Sequence, residues 1–279
     1  MVKNNIMSAT ITAADINKLR RSTGAGMLDC RKALTESNGD FEAAIDWLRK
    51  HGQKVAAKRS DREAKEGVIL AKTTADNKTG MIVCISCETD FVSKNADFVA
   101  FSQSIMDAAI DSNVTSADEL NEVTINGTKV SELINDKLAA IGEKIAIKFE
   151  RVDAAYVASY IHGSNRMGVL VGFSNNAGEA GKDVAMQIAA MNPLAVDETS
   201  IAPETIARER EIAIEQIKAE GKPAEMAEKI AVGKVNKFFK DNTLMAQAFV
   251  KDNSKSVADY LKGVDAGLKV IEFKRVALG

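Results

Sequence analysis

The sequence predicts an α+β protein. Three short helices form a small N-terminal domain, a duplicated α+β core with antiparallel sheets follows, and an antiparallel helical hairpin is inserted into the second copy. Three observations carry this prediction. Gly24-Ala-Gly26, Asn38-Gly39 and Gly52 cut the first 52 residues into helix-sized pieces. Strand-like strings from the middle of the chain return near its end. Two long, charged, helical stretches interrupt the second copy.

The N-terminal helices are marked by their caps. Thr12-Ala-Ala-Asp15 has the form of a capping box, with Ile16 and Leu19 one turn apart on the helix it opens. A second helix spans Met27 to Ser37. Asp40 is suited to N-cap a third, in which Phe41, Ala44, Ile45 and Leu48 share one face before Gly52 ends it. The expected domain covers residues 8–53, near the lower size limit for independent folding. Residues 54–66, carrying both signs of charge, read as a linker with some helical character.

From Gly67 the pattern turns β-like. Val68-Ile69-Leu70 and Gly80 to Ser86 form an expected hairpin across the turn residues Asp76 to Gly80. Asn95 to Ile110 carries Phe98, Phe101, Ile105 and Ala108 at helical spacing. A shorter helix near Val130 to Ile141 leads into the alternating strand KIAIKFERV at 144–152. These elements make a first core repeat over 67–153.

Each has a counterpart later in the chain. GMIVCIS at 80–86 returns as GVLVGFS at 168–174, and KIAIKFERV as LKVIEFKRV at 268–276. The helix DFVAFSQSIMDAA at 97–109 matches KDVAMQIAAMN at 182–192, and VSELI at 130–134 matches VADYL at 257–261. The second repeat is therefore expected over 154–202 and 241–279, interrupted by a hairpin at 203–240. Its helices, Pro203 to Glu220 and Ala224 to Lys240, would each be about 25 Å long. Their narrow stripes are Ile206, Ala213 and Ile217 against Met226, Ile230 and Phe238. Such a hairpin reads as decoration or as a contact arm.

Composition excludes several classes. The 279 residues carry a formal net charge of -2, which makes no electrostatic case for nucleic acid or an anionic membrane. No apolar run approaches the ~18 residues of a membrane span, and the N-terminus has no secretory h-region. Translation starts at Met1 or at Met7. Three cysteines suit a reducing cytoplasm, the expected location, better than a disulfide framework.

Candidate chemistry is sparse. Cys84 and Cys87 form a C-x-x-C, but strand alternation turns them to opposite faces, and the remaining soft ligands Cys30, His51 and His162 are scattered. No metal or cofactor is expected. There is no phosphate loop, dinucleotide fingerprint or nucleophile elbow, and the two histidines assemble no catalytic constellation, so no enzyme is expected. What distinguishes the two repeats is a tip. Where the first has Cys87-Glu-Thr-Asp90-Phe-Val92, the second has Asn175-Asn-Ala-Gly178. One reading is structural: Phe91 and Val92 close the local core and Asp90 caps a helix. The other is a scaffold-held tip that pushes an aromatic wedge and a charge into a partner.

At these residues the sequence resembles the bacterial translation elongation factor Ts family. RSTGAGMLDCRKAL at 21–34, Asn38-Gly-Asp40, Thr89-Asp-Phe-Val92, Ser159-Tyr-Ile-His-Gly163 and Gly168-Val-Leu-Val171 follow one another in the family's order, from Thr10 onward. The resemblance implies a ubiquitin-associated-like N-terminal domain and a duplicated core with an inserted hairpin. It also implies a function: a guanine nucleotide exchange factor for elongation factor Tu, without covalent chemistry. Thr89, Asp90, Phe91 and Val92 would engage the GTPase domain near its Mg²⁺ site, Phe91 as the wedge and Asp90 holding it in register. Met27 and Leu28, with Arg31 nearby, would dock the N-terminal domain, and His162 matches a further core contact. Two departures stand out. The chain stops at Gly279, so the C-terminal helix of some relatives is expected to be absent. The turn after His162 is one residue longer than in some relatives.

Nothing in the resemblance calls for direct nucleic-acid or membrane binding. It leaves open a homodimer through the core or the hairpin. The competing readings are an adaptor, whose three-helix domain binds a partner helix while the core oligomerises, and an unrecognised hydrolase or metalloprotein.

Overall fold

A computed structural model of the chain describes residues 11–58, 61–221 and 223–279. The alternative start at Met7, residues 8–10 of the expected first domain and residues 59–60 of the expected linker lie outside the described residues. The fold is α+β, with N-terminal helices and antiparallel sheets.

Helix α1 (Ala13–Thr23) opens on the capping box of Thr12 and Asp15 and ends at Gly24 in the left-handed conformation. Helix α2 (Met27–Glu36) stops at Asn38 and Gly39, both with positive φ. Helix α3 (Phe41–Lys58) starts where the Asp40 side chain accepts from the Ala43 amide at 2.9 Å. Leu19, Cys30, Ala33, Leu34, Ala44 and Leu48 form the core of this bundle. Helix α3 does not end at Gly52, as the sequence suggests, but runs on to Lys58. Gly52 is a packing residue: a Cβ there would lie 2.5 Å from the Ala139 Cβ on another helix.

Strands β1 (Glu66–Thr73) and β2 (Thr79–Cys87) flank a turn in which Asn77 takes φ 55° and Asp76 accepts from Thr74 Oγ1 and the Lys78 amide. A single turn, α4 (Asp90–Ser93), and the long helix α5 (Ala96–Asp111) follow. Asn95 caps α5, accepting from the Asp97 and Phe98 amides. Next come α6 (Ala117–Glu122), the short ribbon β3 (Thr124–Ile125) and β4 (Thr128–Lys129), α7 (Val130–Ile141) and β5 (Ala146–Asp153). The first sheet has the order β1-β2-β5. The buried stripe of α5 is Phe98, Ser102, Ile105, Met106 and Ala109. Phe101, expected among them, is only half-buried, with the Lys137 ammonium 5.1 Å from its ring.

The second half opens with β6 (Tyr156–His162), β7 (Met167–Phe173) and α8 (Gly178–Met191). Helices α9 (Pro203–Ala219) and α10 (Ala224–Asn242) form the hairpin. A ribbon of β8 (Ala248–Phe249) and β9 (Asp252–Ser256), helix α11 (Val257–Val264) and strand β10 (Val270–Ala277) complete it. The second sheet has the order β10-β7-β6, antiparallel throughout. Each repeated string therefore takes the same place: β2 and β7 are central, and β5 and β10 are the last strands of their halves. Val169, Val171 and Phe173 of β7 pack with Val184 and Ile188 of α8 and Leu261 of α11. The hairpin seam keeps Ala213, Ile217 and Ile230 of the expected stripes but differs on α10. Ala213 and Ile217 meet Ala227 and Ala231, while Met226 is 52% exposed. Ala227 and Ala231 fill the centre of the seam on α10, with the expected Ile230 packed against them.

Two compact units divide the chain. One runs up to Leu70 and resumes over Val83–Phe149 and Leu278–Gly279; the other holds Ala71–Ile82 and Glu150–Ala277.

Candidate functional site

The tip grows out of a buried strand. Met81 to Ile85 and Cys87 of β2 are buried, and the chain then leaves the sheet through Glu88 and an extended Thr89 (φ −124°, ψ 154°). A run of polar, turn-prone residues cannot continue a buried strand without stranding backbone donors, so the chain coils at once into α4. The turn is closed by Lys94 N–H to Asp90 C=O at 3.0 Å, Asn95 N–H to Val92 C=O at 3.1 Å and Ser93 Oγ to Asp90 C=O at 3.2 Å.

Its side chains divide sharply. Ser93 is buried, Val92 half-buried, and Phe91 is 86% exposed. Phe91 thus does not close the local core. Nor does Asp90 cap the turn: it is the first residue of α4, and its carboxylate pairs with Lys94 Nζ at 2.7 Å. That hydrogen bond holds the Asp90 carboxyl below the usual carboxylate range. Thr89 occupies the N-cap position but makes no cap bond. Its hydroxyl instead donates to Glu143 at 2.6 Å. Phe91 and Val92 also edge a groove of about 770 Å³, with Gly24, Leu48, Phe101 and Ala140 on its walls. Within it, burial pushes the Asp136 carboxyl up against the opposing pull of Arg49, 3.8 Å away.

The N-terminal candidates lie on the outer face of α2. Cys30, Ala33 and Leu34 turn inward, leaving Met27 49% and Leu28 81% exposed, with Arg31 exposed one turn on. Their unit also contains Thr89 to Val92. His162 belongs to the other unit. It is the exposed last residue of β6, paired with Met167 across a loop whose Gly163, Ser164 and Asn165 all take positive φ. Its Nδ1 lies 3.0 Å from Tyr160 Oη.

Cys84 and Cys87 are buried, and burial pushes their thiols up to about 11 and about 12. Among the described residues, no three His, Cys, Asp or Glu side chains gather to hold a metal ion. No described helix is long and apolar enough to cross a membrane. Sequence reasoning missed Glu143 and Glu88, which hold the base of the tip. They lie 55 residues apart, and the only local hint was the helix-stopping Gly142 before Glu143.

The fold and site define a class: an α+β protein with a duplicated core, a three-helix N-terminal bundle and an exposed aromatic tip on one repeat only. Comparison with known proteins makes this specific. The family model described as "Elongation factor TS" matches residues 88–279. Elongation factor Ts of Christiangramia forsetii is 50% identical over 275 residues, 97% of this chain and 100% of that one. The Flavobacterium psychrophilum protein of the same name gives the same figures, and that of Cytophaga hutchinsonii is 50% identical over 276 residues, 97% of this chain and 99% of that one. The chain belongs to the elongation factor Ts family, a family of translation elongation factors.

Proposed function

We propose that the chain is a guanine nucleotide exchange factor that binds elongation factor Tu in its GDP form and promotes GDP release, acting in the cytoplasm during translation. The observation that carries this reading is Phe91: a whole aromatic ring 86% exposed on a turn closed by backbone hydrogen bonds from Ser93, Lys94 and Asn95. An exposed large aromatic on a rigid mount is what a protein interface uses as an anchor. In this reading Phe91 wedges beside the partner's Mg²⁺ site, with Thr89, Asp90 and Val92 around it. Met27, Leu28 and Arg31 dock the N-terminal bundle, whose proposed domain runs past the expected end at residue 53 to the end of α3 at Lys58, and His162 adds a contact from the second repeat.

The physics needs no bond made or broken. Mg²⁺ bridges nucleotide phosphates in near-ideal octahedral geometry, so disturbing its surroundings loosens the nucleotide. A protein that binds the nucleotide-free GTPase more tightly than the GDP form lowers GDP affinity by the same factor. The test is release of labelled GDP from elongation factor Tu with and without this protein. Acceleration is expected, and none would sink the reading. Phe91→Ala and Asp90→Ala exchanging as fast as wild type would sink the wedge alone.

A further inference from the structure

The tip is held from below by a lock between two loops that are far apart in sequence. At the C-terminus of α7, Gly142 takes the left-handed conformation (φ 77°), which turns the chain so that Glu143 follows directly. The Glu143 Oε2 accepts the amides of Glu88 and Thr89, both at 3.0 Å, and its Oε1 accepts the Thr89 hydroxyl at 2.6 Å. The lock is reciprocal. Glu88 Oε1 accepts the Lys144 amide at 2.6 Å, and its Oε2 takes Arg62 Nη1 at 3.1 Å. Lys144 Nζ in turn donates to the Arg62 carbonyl at 2.9 Å. The two carboxylates thus tie residues 88–89 to residues 143–144 through charge-assisted bonds, which are about twice as strong as neutral ones.

The Thr89 hydroxyl, which makes no cap bond in α4, is turned instead toward Glu143. The lock also bears on the tip. Phe91 is 86% exposed, so the backbone of α4 fixes where its Cα–Cβ bond points and leaves the ring its rotamers. That backbone is anchored where it enters α4, by β2 and by Glu143 on residues 88 and 89. We propose that Glu143 is a positioning residue for exchange, acting through Thr89 to fix the turn that carries Phe91 before the partner arrives. Glu88 completes the lock from the opposite loop. The proposal rests on the exchange reading above, because the role it assigns is that of preparing Phe91 for the partner. A turn fixed in advance spares the interface the entropy of ordering its backbone, and small misplacements of the group it carries cost up to about 100-fold.

The experiment measures GDP release from elongation factor Tu, with kcat and KM separated, for Glu143→Ala, Glu143→Gln and Thr89→Val, each with and without Phe91→Ala. Amide hydrogen exchange at Glu88 and Thr89 is followed in the free proteins. Glu143→Ala is expected to lower kcat by roughly tenfold and to expose both amides. Its effect on exchange is expected to vanish where Phe91 is already Ala. Glu143→Gln is expected to recover most of the rate, since one oxygen still serves the two amides and its NH₂ donates to Thr89. Three results overturn the proposal: wild-type exchange by Glu143→Ala, an equal loss in the Phe91→Ala background, or amide protection unchanged on removing the carboxylate. If Glu143→Ala does not fold, Thr89→Val, which deletes one hydroxyl and keeps the shape, carries the same comparison. If the wild-type protein accelerates nothing, the exchange reading fails and the lock stands or falls on the amide protection.

Discussion

At the scale of single residues, burial and exposure divide roles that the sequence leaves mixed. Phe91 and Leu28 are large apolar side chains left in solvent, where replacement costs the fold little. Phe91→Ala is expected to keep the melting behaviour of the parent, within about 0.5 kcal/mol, while slowing GDP release roughly tenfold or more. A matched loss of stability, seen in urea unfolding, would assign the ring to the core instead. Cys84 and Cys87 are the opposite case. Unfolded, a thiol titrates near 9; burial raises them to about 11 and about 12. A raised pKa means the folded state holds the proton more tightly. The contribution to stability is complete below about pH 9 and is lost as pH rises through the folded values. Stability is therefore expected to decline from pH 9 toward 11 through these two groups, and a Cys84→Ala, Cys87→Ala variant should show a shallower decline. At pH 8 a thiol reagent should label neither cysteine until the protein is unfolded.

At the scale of elements, α7 does the work that its modest length hides. Its Ala139 receives Gly52 of α3, and its C-terminal turn delivers Glu143 to the tip. The α3–α7 approach leaves no room for a methyl group, because the nearest atom is another Cβ, which cannot rotate away. Ala is the better helix former by about 1 kcal/mol, yet Gly52→Ala is expected to destabilise by about 1–3 kcal/mol through overpacking. Ala139→Gly in the same chain should recover part of that loss. Chemical denaturation of the two single variants and the double variant checks this, and additive losses would refute the close contact. Sequence pattern alone reads Gly52 as a helix stop, the commoner use of glycine. Only the neighbouring helix shows it to be a packing residue.

At the scale of the whole molecule, duplication builds a scaffold and divergence builds the site. Both halves place the same strings on a central strand, a covering helix and a last strand. Only the first half carries the Thr89–Val92 turn, and its counterpart at Asn175–Gly178 leads straight into α8. On the exchange reading, linkage constrains the protein as a whole. The ratio of its affinities for nucleotide-free and GDP-bound elongation factor Tu is expected to equal the factor by which it weakens GDP binding. Titration calorimetry in both states, set against GDP affinity with and without the protein, checks that equality. A mismatch would mean that a further state has been left out.

Local chemistry determined much of this protein from sequence alone. Capping residues, glycine punctuation and strand alternation are short-range signals, so α1, α2, the start of α3, the β1–β2 hairpin, α5 and α7 were legible to within a few residues. The internal repeat supplied the long-range pairing that local signals lack, and it singled out the tip. Tertiary structure alone decided which side of the tip faces solvent, that α3 continues past Gly52, that Ala227 and Ala231 of α10 face the hairpin seam, and that Glu143 holds Thr89. Each of these depends on what lies across a gap in space. A carboxylate 54 residues from the hydroxyl it accepts leaves no periodicity or spacing in the chain to reveal it.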